Sequence, residues 1–332
     1  MRGQPSGRNA VNEIILHHYD ASPFSEKVRV VLGIKGLAWR SVQIPAMLPK
    51  PLYTPLTGGY RRTPSMQVGA DVYCDSQCII RELERRFPSP TLFPDGGEGM
   101  HHALAAWTDK VFFQAAVGVI FGRIGDRVPQ AFIDDRTQMS GTPFDLARMK
   151  AAVPVMHEQL RAHARLIETQ LRDGRAFLFG DAPGLADAQV YHVTWWLRTV
   201  LPEAAERLDR LPRYRAWNER VRAIGHGRRI EMSGEEALAI ARDATPETLP
   251  QGDANEPNGL QPGDRIEVAP DDYGRDAVRG ELVRSSALDV ALLRQDPDLG
   301  EIVQHFPRIG FVVVKLPSPP AGKAPARKEG HR

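Results

Sequence analysis

Residues 13–36 read EIILHHYDASPFSEKVRVVLGIKG. EIILHH is an apolar run of β-formers, and beyond Ser22-Pro23 apolar residues recur at helical spacing through Phe24, Val28, Val31 and Leu32 until Gly36. The pattern predicts a strand followed by a helix, with Ser22 as N-cap and Pro23 at the first helical position. Trp39 to Ile44 predicts a second strand, and the Pro- and Gly-rich MLPKPLYTPLTGGYRRTP after it a loop. Ser65 to Val68 and Val72 to Cys74 predict a hairpin turning at Gly69-Ala70, and Ser76 to Arg86 a helix with Ile79, Ile80 and Leu83 inward. Residues 12–90 therefore read β-α-β-loop-β-β-α, an α/β unit.

Beyond it the periodicity changes. Residues 97–243 carry long helical patterns, through Leu104, Trp107, Val111 and Phe112, from Met149 to Leu171, and from Leu185 to Leu197, which predict an all-α domain. Residues 244–260 are polar and proline-broken, as a linker would be. In 261–317 the period becomes two, at Arg265 to Val268, Val278 to Val283, Leu288 to Leu293 and Phe311 to Leu316, predicting a small all-β sheet or barrel. Its expected place is against the helical domain or in a dimer contact. Residues 318–332 read as a disordered tail.

A chain of 332 residues with 42% hydrophobic and 25% charged residues is long enough for two or three domains of a soluble globular protein. No run approaches 18 uninterrupted apolar residues and the N-terminus lacks a secretory pattern, so the expectation is a cytoplasmic protein without a membrane partner. Cys74 and Cys78 are too few for a disulfide framework, and without further ligands they make no metal site. Net charge is +2, distributed as +5 over residues 1–92, 0 over 93–245 and −3 over 246–332. A basic N-terminal third suits a small anionic ligand, and the acidic C-terminal third argues against nucleic acid.

Three groups carry possible chemistry. Ser22 caps a helix whose N-terminus presents free N–H groups and roughly half a positive charge, so a thiolate beside it would have its pKa lowered and receive a hydrogen bond from the hydroxyl. Thr63-Pro64 enters the hairpin, where a cis bond would turn backbone groups toward a ligand. Asp75-Ser76 at the next helix start places an acid and a hydroxyl where they can hold an ammonium and a carboxylate. Each also has a purely structural reading, as a helix cap or a strand-entry proline.

The runs LHHYDASPFSEKVRVVLGIKG, YRRTPSMQVGADVYCDSQCIIRELERRF and FLFGDAPGLADAQVY together resemble the glutathione transferase family over roughly residues 12–243. The resemblance implies a thioredoxin-like domain that binds glutathione as co-substrate and an all-helical domain that lines the pocket for a small hydrophobic electrophile. It implies Ser22 as the thiolate donor of a serine-type enzyme, with Tyr19 second; Asp75 and Ser76 at the γ-glutamyl end; Pro64 as cis-proline with Thr63 on the cysteinyl backbone; and Arg61 or Arg62 on the glycyl carboxylate. Asp187, in Gly184-Leu185-Ala186-Asp187, becomes a helix-capping residue with Gly in place of the usual Ser or Thr. No metal is implied, and a homodimer is. A fold retained as a non-catalytic interaction module, and glutathione-dependent lyase or isomerase chemistry, are the alternatives. Trp107, Phe112, Phe113 and Phe121 read mainly as core, with one or two facing the pocket.

Overall fold

Every residue of the first strand, β1 (Ile15–His18), is buried, because the strand lies in the interior of a sheet covered on both faces. The computed structural model describes residues 13–317, and the tail expected from 318 onward lies outside the described residues. β1 runs parallel to β2 (Ala38–Gln43) through the crossover helix α1 (Pro23–Ile34) and antiparallel to β3 (Ser65–Val68), which forms a hairpin with β4 (Asp71–Cys74). The intervening loop holds one short helix, α2 (Thr54–Thr57), and α3 (Ser76–Arg86) follows the hairpin. The element order is the one the spacing predicts, and the unit is thioredoxin-like, as the family resemblance implies. Burial keeps the two strand histidines neutral: His17, bonded to Gln67 at 2.8 Å, is lowered to about 4, and His18 to about 3 with the Arg29 cation adding to the burial.

The helical half contains α4 (Glu98–Ala103), a π-helical turn (Trp107–Phe112), α5 (Phe113–Ile124), α6 (Gln130–Ser140), α7 (Leu146–Gln170), α8 (Leu185–Val200), α9 (Pro202–Leu208) and α10 (Pro212–Ile224). The continuous helical stretch Glu98–Arg127 is apolar enough by length and composition to cross a membrane, and here its apolar side packs on α7 and α8. Contrary to the all-helical expectation, residues 228–243 leave the bundle. Arg228–Glu231 forms β5, parallel to β2 at the sheet edge, and α11 (Gly234–Asp243) lies on the sheet, its Ala237 carbonyl accepting from Gln67. The chain turns there at Gly225 and Gly227, both with positive φ, and a Cβ on Gly227 would stand 2.4 Å from the Leu37 carbonyl.

The C-terminal strands are β6 (Arg265–Pro270), β7 (Val278–Ser285), β8 (Asp289–Asp296), β9 (Gly300–Pro307) and β10 (Phe311–Lys315). Their placement corrects the expected packing on the helical domain: β9 pairs in parallel with β4, Val72 opposite Gln304, and one ten-stranded sheet results in the order β10-β6-β7-β8-β9-β4-β3-β1-β2-β5. The core under these strands is shared, combining Ile266, Leu282, Leu292 and Phe306 with Leu56, Tyr60, Val72 and Cys74 of the N-terminal unit. The seam is polar as well. His305 bonds Asp71 at 2.8 Å and stacks on Tyr73 with centroids 4.3 Å apart, while the second Asp71 oxygen accepts from the Glu247 backbone.

Asp187 organises the helical half. Its carboxylate accepts from the backbone of Leu178 and Gly184 and from the Trp217 indole at 2.8 Å. Gly184 replaces a larger cap residue because a Cβ there would lie 2.8 Å from the Leu92 carbonyl. Asp187→Ala leaves three buried donors without a partner and is expected to lower unfolding free energy by about 3 kcal/mol or more, read from the urea midpoint at unchanged m-value.

Candidate active site

The sheet topology brings the three sequence motifs to one rim. The C-terminal end of β1 leads to Ser22, the N-terminal end of antiparallel β3 begins after Thr63-Pro64, and the C-terminal end of β4 leads to Asp75-Ser76. Two helix N-termini, of α1 and α3, open onto that rim.

Ser22 is the N-cap of α1 and only 2% exposed, with extended backbone and its Oγ accepting from the Ser25 N–H at 3.2 Å. That bond uses an oxygen lone pair and leaves the hydroxyl hydrogen to donate. Tyr19, in the turn before it, is half-buried and contributes its carbonyl, which accepts from the Ser22 N–H at 3.0 Å. The Thr63-Pro64 peptide is cis. Asp75 is the only non-glycine with positive φ among the described residues, at 74°, and it caps α3 by accepting from the Gln77 N–H at 2.9 Å. Strain of this kind persists only where the surroundings hold it, and it aims the residue away from an ordinary helix entry. Burial raises the Asp75 carboxyl above the usual range.

Beside it, Ser76 accepts from Lys27 at 3.3 Å, and Lys27, 1% exposed, also holds both oxygens of Asp109 at 2.6 and 2.7 Å. Asp109 sits in the π-helical turn, so one buried ion pair joins the Ser76 helix start to the helical half. His192 lies 3.8 Å from Asp109, fully buried, with both ring nitrogens lacking a hydrogen-bond partner; burial lowers it to about 3, so it is neutral.

The two candidate arginines are both engaged by protein carboxylates. Arg61 is buried against Asp135 of α6, and Arg62 bonds Asp272 and the Tyr273 carbonyl in the β6–β7 connection. A third cation, Lys50, hydrogen-bonds Thr63, and sequence reasoning did not name it as a site residue. It is 3% exposed, donates to the Arg61 carbonyl at 3.0 Å and the Thr63 hydroxyl at 3.1 Å, and is lowered to about 8 by burial and by Arg136 and Arg61. The only signal was a lysine between two prolines, at Pro49-Lys50-Pro51, in a loop too irregular for periodicity to place.

A half-buried aromatic series runs from α1 into the helical half. Phe24 contacts Phe113 at 4.9 Å between centroids, Phe113 stacks on Trp196 at 5.2 Å, and Trp196 meets Phe121 at 5.9 Å. Phe112 by contrast is buried core, and Trp107 stacks on it. Cys74 and Cys78 are buried free thiols, with Cys74 pushed up to about 12 by burial.

A GST-like protein from Pseudomonas syringae is 39% identical and superimposes with a TM-score of 0.77, over 92% of this chain and 100% of its own. The chain belongs to the glutathione S-transferase family. Residues 16–91 match the model of the glutathione S-transferase N-terminal domain and residues 146–220 that of the C-terminal domain. A glutathione S-transferase from Rhodospirillum rubrum (20% identity, TM-score 0.50, 63% of this chain and 88% of that one) and a glutathione transferase from Phanerochaete chrysosporium (21%, 0.51, 64% and 97%) share the fold. No match is found among curated proteins. The glutathione S-transferase fold thus accounts for β1 to β4 and the helical half, while the match to the P. syringae protein extends over most of the chain.

The strained, half-buried Asp75 has a measurable signature. Its carboxyl binds a proton more tightly folded than unfolded, so the folded state is penalised as pH rises through the raised value. Asp75→Asn keeps the capping oxygen and tolerates positive φ. It is expected to raise the thermal midpoint at pH 7, with the difference from wild type shrinking to nothing as pH falls to the ordinary carboxyl range.

Proposed function

We propose that this protein is a glutathione transferase that joins the glutathione sulfur to a small apolar electrophile. The observation that carries the reading is Ser22, a buried N-cap whose oxygen is already used as an acceptor and whose hydrogen is free to donate, at the rim shared with Thr63-Pro64 and Asp75-Ser76.

In this reading Asp75 takes the γ-glutamyl ammonium, and Ser76 with the N-terminal N–H groups of α3 takes the neighbouring carboxylate. Thr63 meets the cysteinyl backbone, and Lys50, which donates to the Thr63 hydroxyl, holds the glycyl carboxylate, Arg61 being buried against Asp135. The glutathione thiol gives its proton to solvent. The thiolate is held by the Ser22 hydroxyl and the α1 N-terminus, which favour the anion over the thiol. Its lone pair forms the new C–S bond while the electrophile's leaving group, or the π-electrons of an activated double bond, takes the displaced pair. Phe24, Phe113, Phe121 and Trp196 offer apolar area to the acceptor and exclude water from the reacting pair. The reading includes a cytoplasmic homodimer, which sedimentation at micromolar concentration tests.

Calorimetric titration of glutathione into wild type and Asp75→Ala decides the binding half. Binding abolished in the variant supports the site, and no binding to wild type at several millimolar returns the chain to an interaction module. For the chemistry, Ser22→Ala is expected to lower turnover of an aryl halide by roughly ten- to a thousandfold, as for loss of one anion-stabilising donor. Unchanged kinetics would remove Ser22 from its role. Lys50 adds a pH dependence: it loses its charge as pH rises through about 8. Affinity for S-methylglutathione, which has no thiol to titrate, is therefore expected to fall between about pH 7 and 9 in wild type and to fall much less in Lys50→Arg.

A further inference from the structure

Arg62 stands between the proposed ligand and a part of the chain that the transferase fold does not include. On one side it adjoins Thr63-Pro64, and its charge acts on Asp75 and on the Tyr60 hydroxyl, which is buried without a partner. On the other, its Nη2 is held by the Asp272 carboxylate and the Tyr273 carbonyl, and the Tyr273 ring covers the guanidinium at 4.1 Å. Its Nε is buried and unpartnered.

The segment that holds it is itself anchored. The Gly274 N–H donates to the Met139 carbonyl of α6 at 2.6 Å, and the Asp271 N–H donates to Gly310 in the β9–β10 turn at 3.0 Å. That second turn reaches the other flank of Asp75, where the Ile309 carbonyl accepts from Gln77 at 3.3 Å. The β6–β7 connection thus holds Arg62 and is joined through Gly310 to the β9–β10 turn, which reaches the first turn of α3.

We propose that Asp272 and Tyr273 are positioning residues for Arg62, and that Arg62, so held, pairs with the carboxylate at the γ-glutamyl end of glutathione while Asp75 takes the ammonium. Arg62 and Asp75 carry the two opposite charges that an amino-acid zwitterion requires. A guanidinium whose Nη2 is fixed by Asp272 loses less conformational freedom on binding than a free one. The C-terminal strands then belong to the ligand site. This rests on the reading of the site as a glutathione site.

Asp272→Ala, Tyr273→Ala, Arg62→Ala and the Arg62→Ala/Asp272→Ala double variant are compared by calorimetry with glutathione and by steady-state kinetics with an aryl halide. Asp272 has a side chain 38% exposed, so the variants are expected to fold, with thermal midpoints near wild type. The expected result is about a tenfold rise in Kd and in KM for glutathione in each single variant, with kcat and the KM for the halide within twofold. The double variant is expected to be no worse than Arg62→Ala alone, and Asp272→Glu to recover most of the loss. Glutathione affinity in Asp272→Ala equal to wild type overturns the proposal, as does a double variant whose losses add. A fall in kcat matching the rise in KM would also overturn it, because it would mean a general disturbance. Wild type that binds no glutathione overturns the parent reading and this one with it.

Discussion

The open edge of β4 is the constraint on which the rest of the architecture turns. A hairpin strand with unpaired N–H and C=O groups invites association unless something covers it. Here β9 covers it from 232 residues further along the chain, as the Val72 and Gln304 register shows. The consequence is a shared core, in which Val72, Cys74, Leu56 and Tyr60 pack with residues of the C-terminal strands. Because β4 runs directly into Asp75, the same pairing that hides the edge brings the C-terminal connections to the rim where the candidate site lies.

The electrostatics of that rim follow from burial more than from charge number. Lys27 and Lys50 are buried and Asp75 and Asp109 half-buried, and each has a specific partner or a helix N-terminus beside it. Desolvation moves Lys50 down and Asp75 up, bringing both nearer to neutral pH, where a ligand's charges can act on them. The Lys27–Asp109 pair makes the orientation of the helical half relative to the start of α3 part of the site, since breaking a buried pair leaves a charge uncompensated.

How much of this was legible in the sequence depends on where each residue's neighbours come from. β1, α1, the hairpin and α3 were readable because period, caps and turn residues are local, and Ser22, Thr63-Pro64 and Asp75-Ser76 could be read off with them. β9 was missed for a physical reason: Ile302, Val303, Gln304, His305 and Phe306 are all buried, so the alternation that marks a one-sided strand is absent, and Gln304 and His305 look polar until their partners across the seam are known. β5 was hidden similarly, as RRIE reads like the end of a helix until it pairs with β2.

The sequence by itself determined the family, the order of the elements and the residue types at the candidate site, because caps, prolines and hydrophobic period act over a few residues. Only the tertiary structure decided how the cations around Thr63 are held. Arg61 and Arg62 meet Asp135 and Asp272, 74 and 210 residues away, and Lys50 donates to the Thr63 hydroxyl. It also decided that the C-terminal strands extend the N-terminal sheet. Both outcomes depend on pairings between distant segments, whose partners no local pattern names.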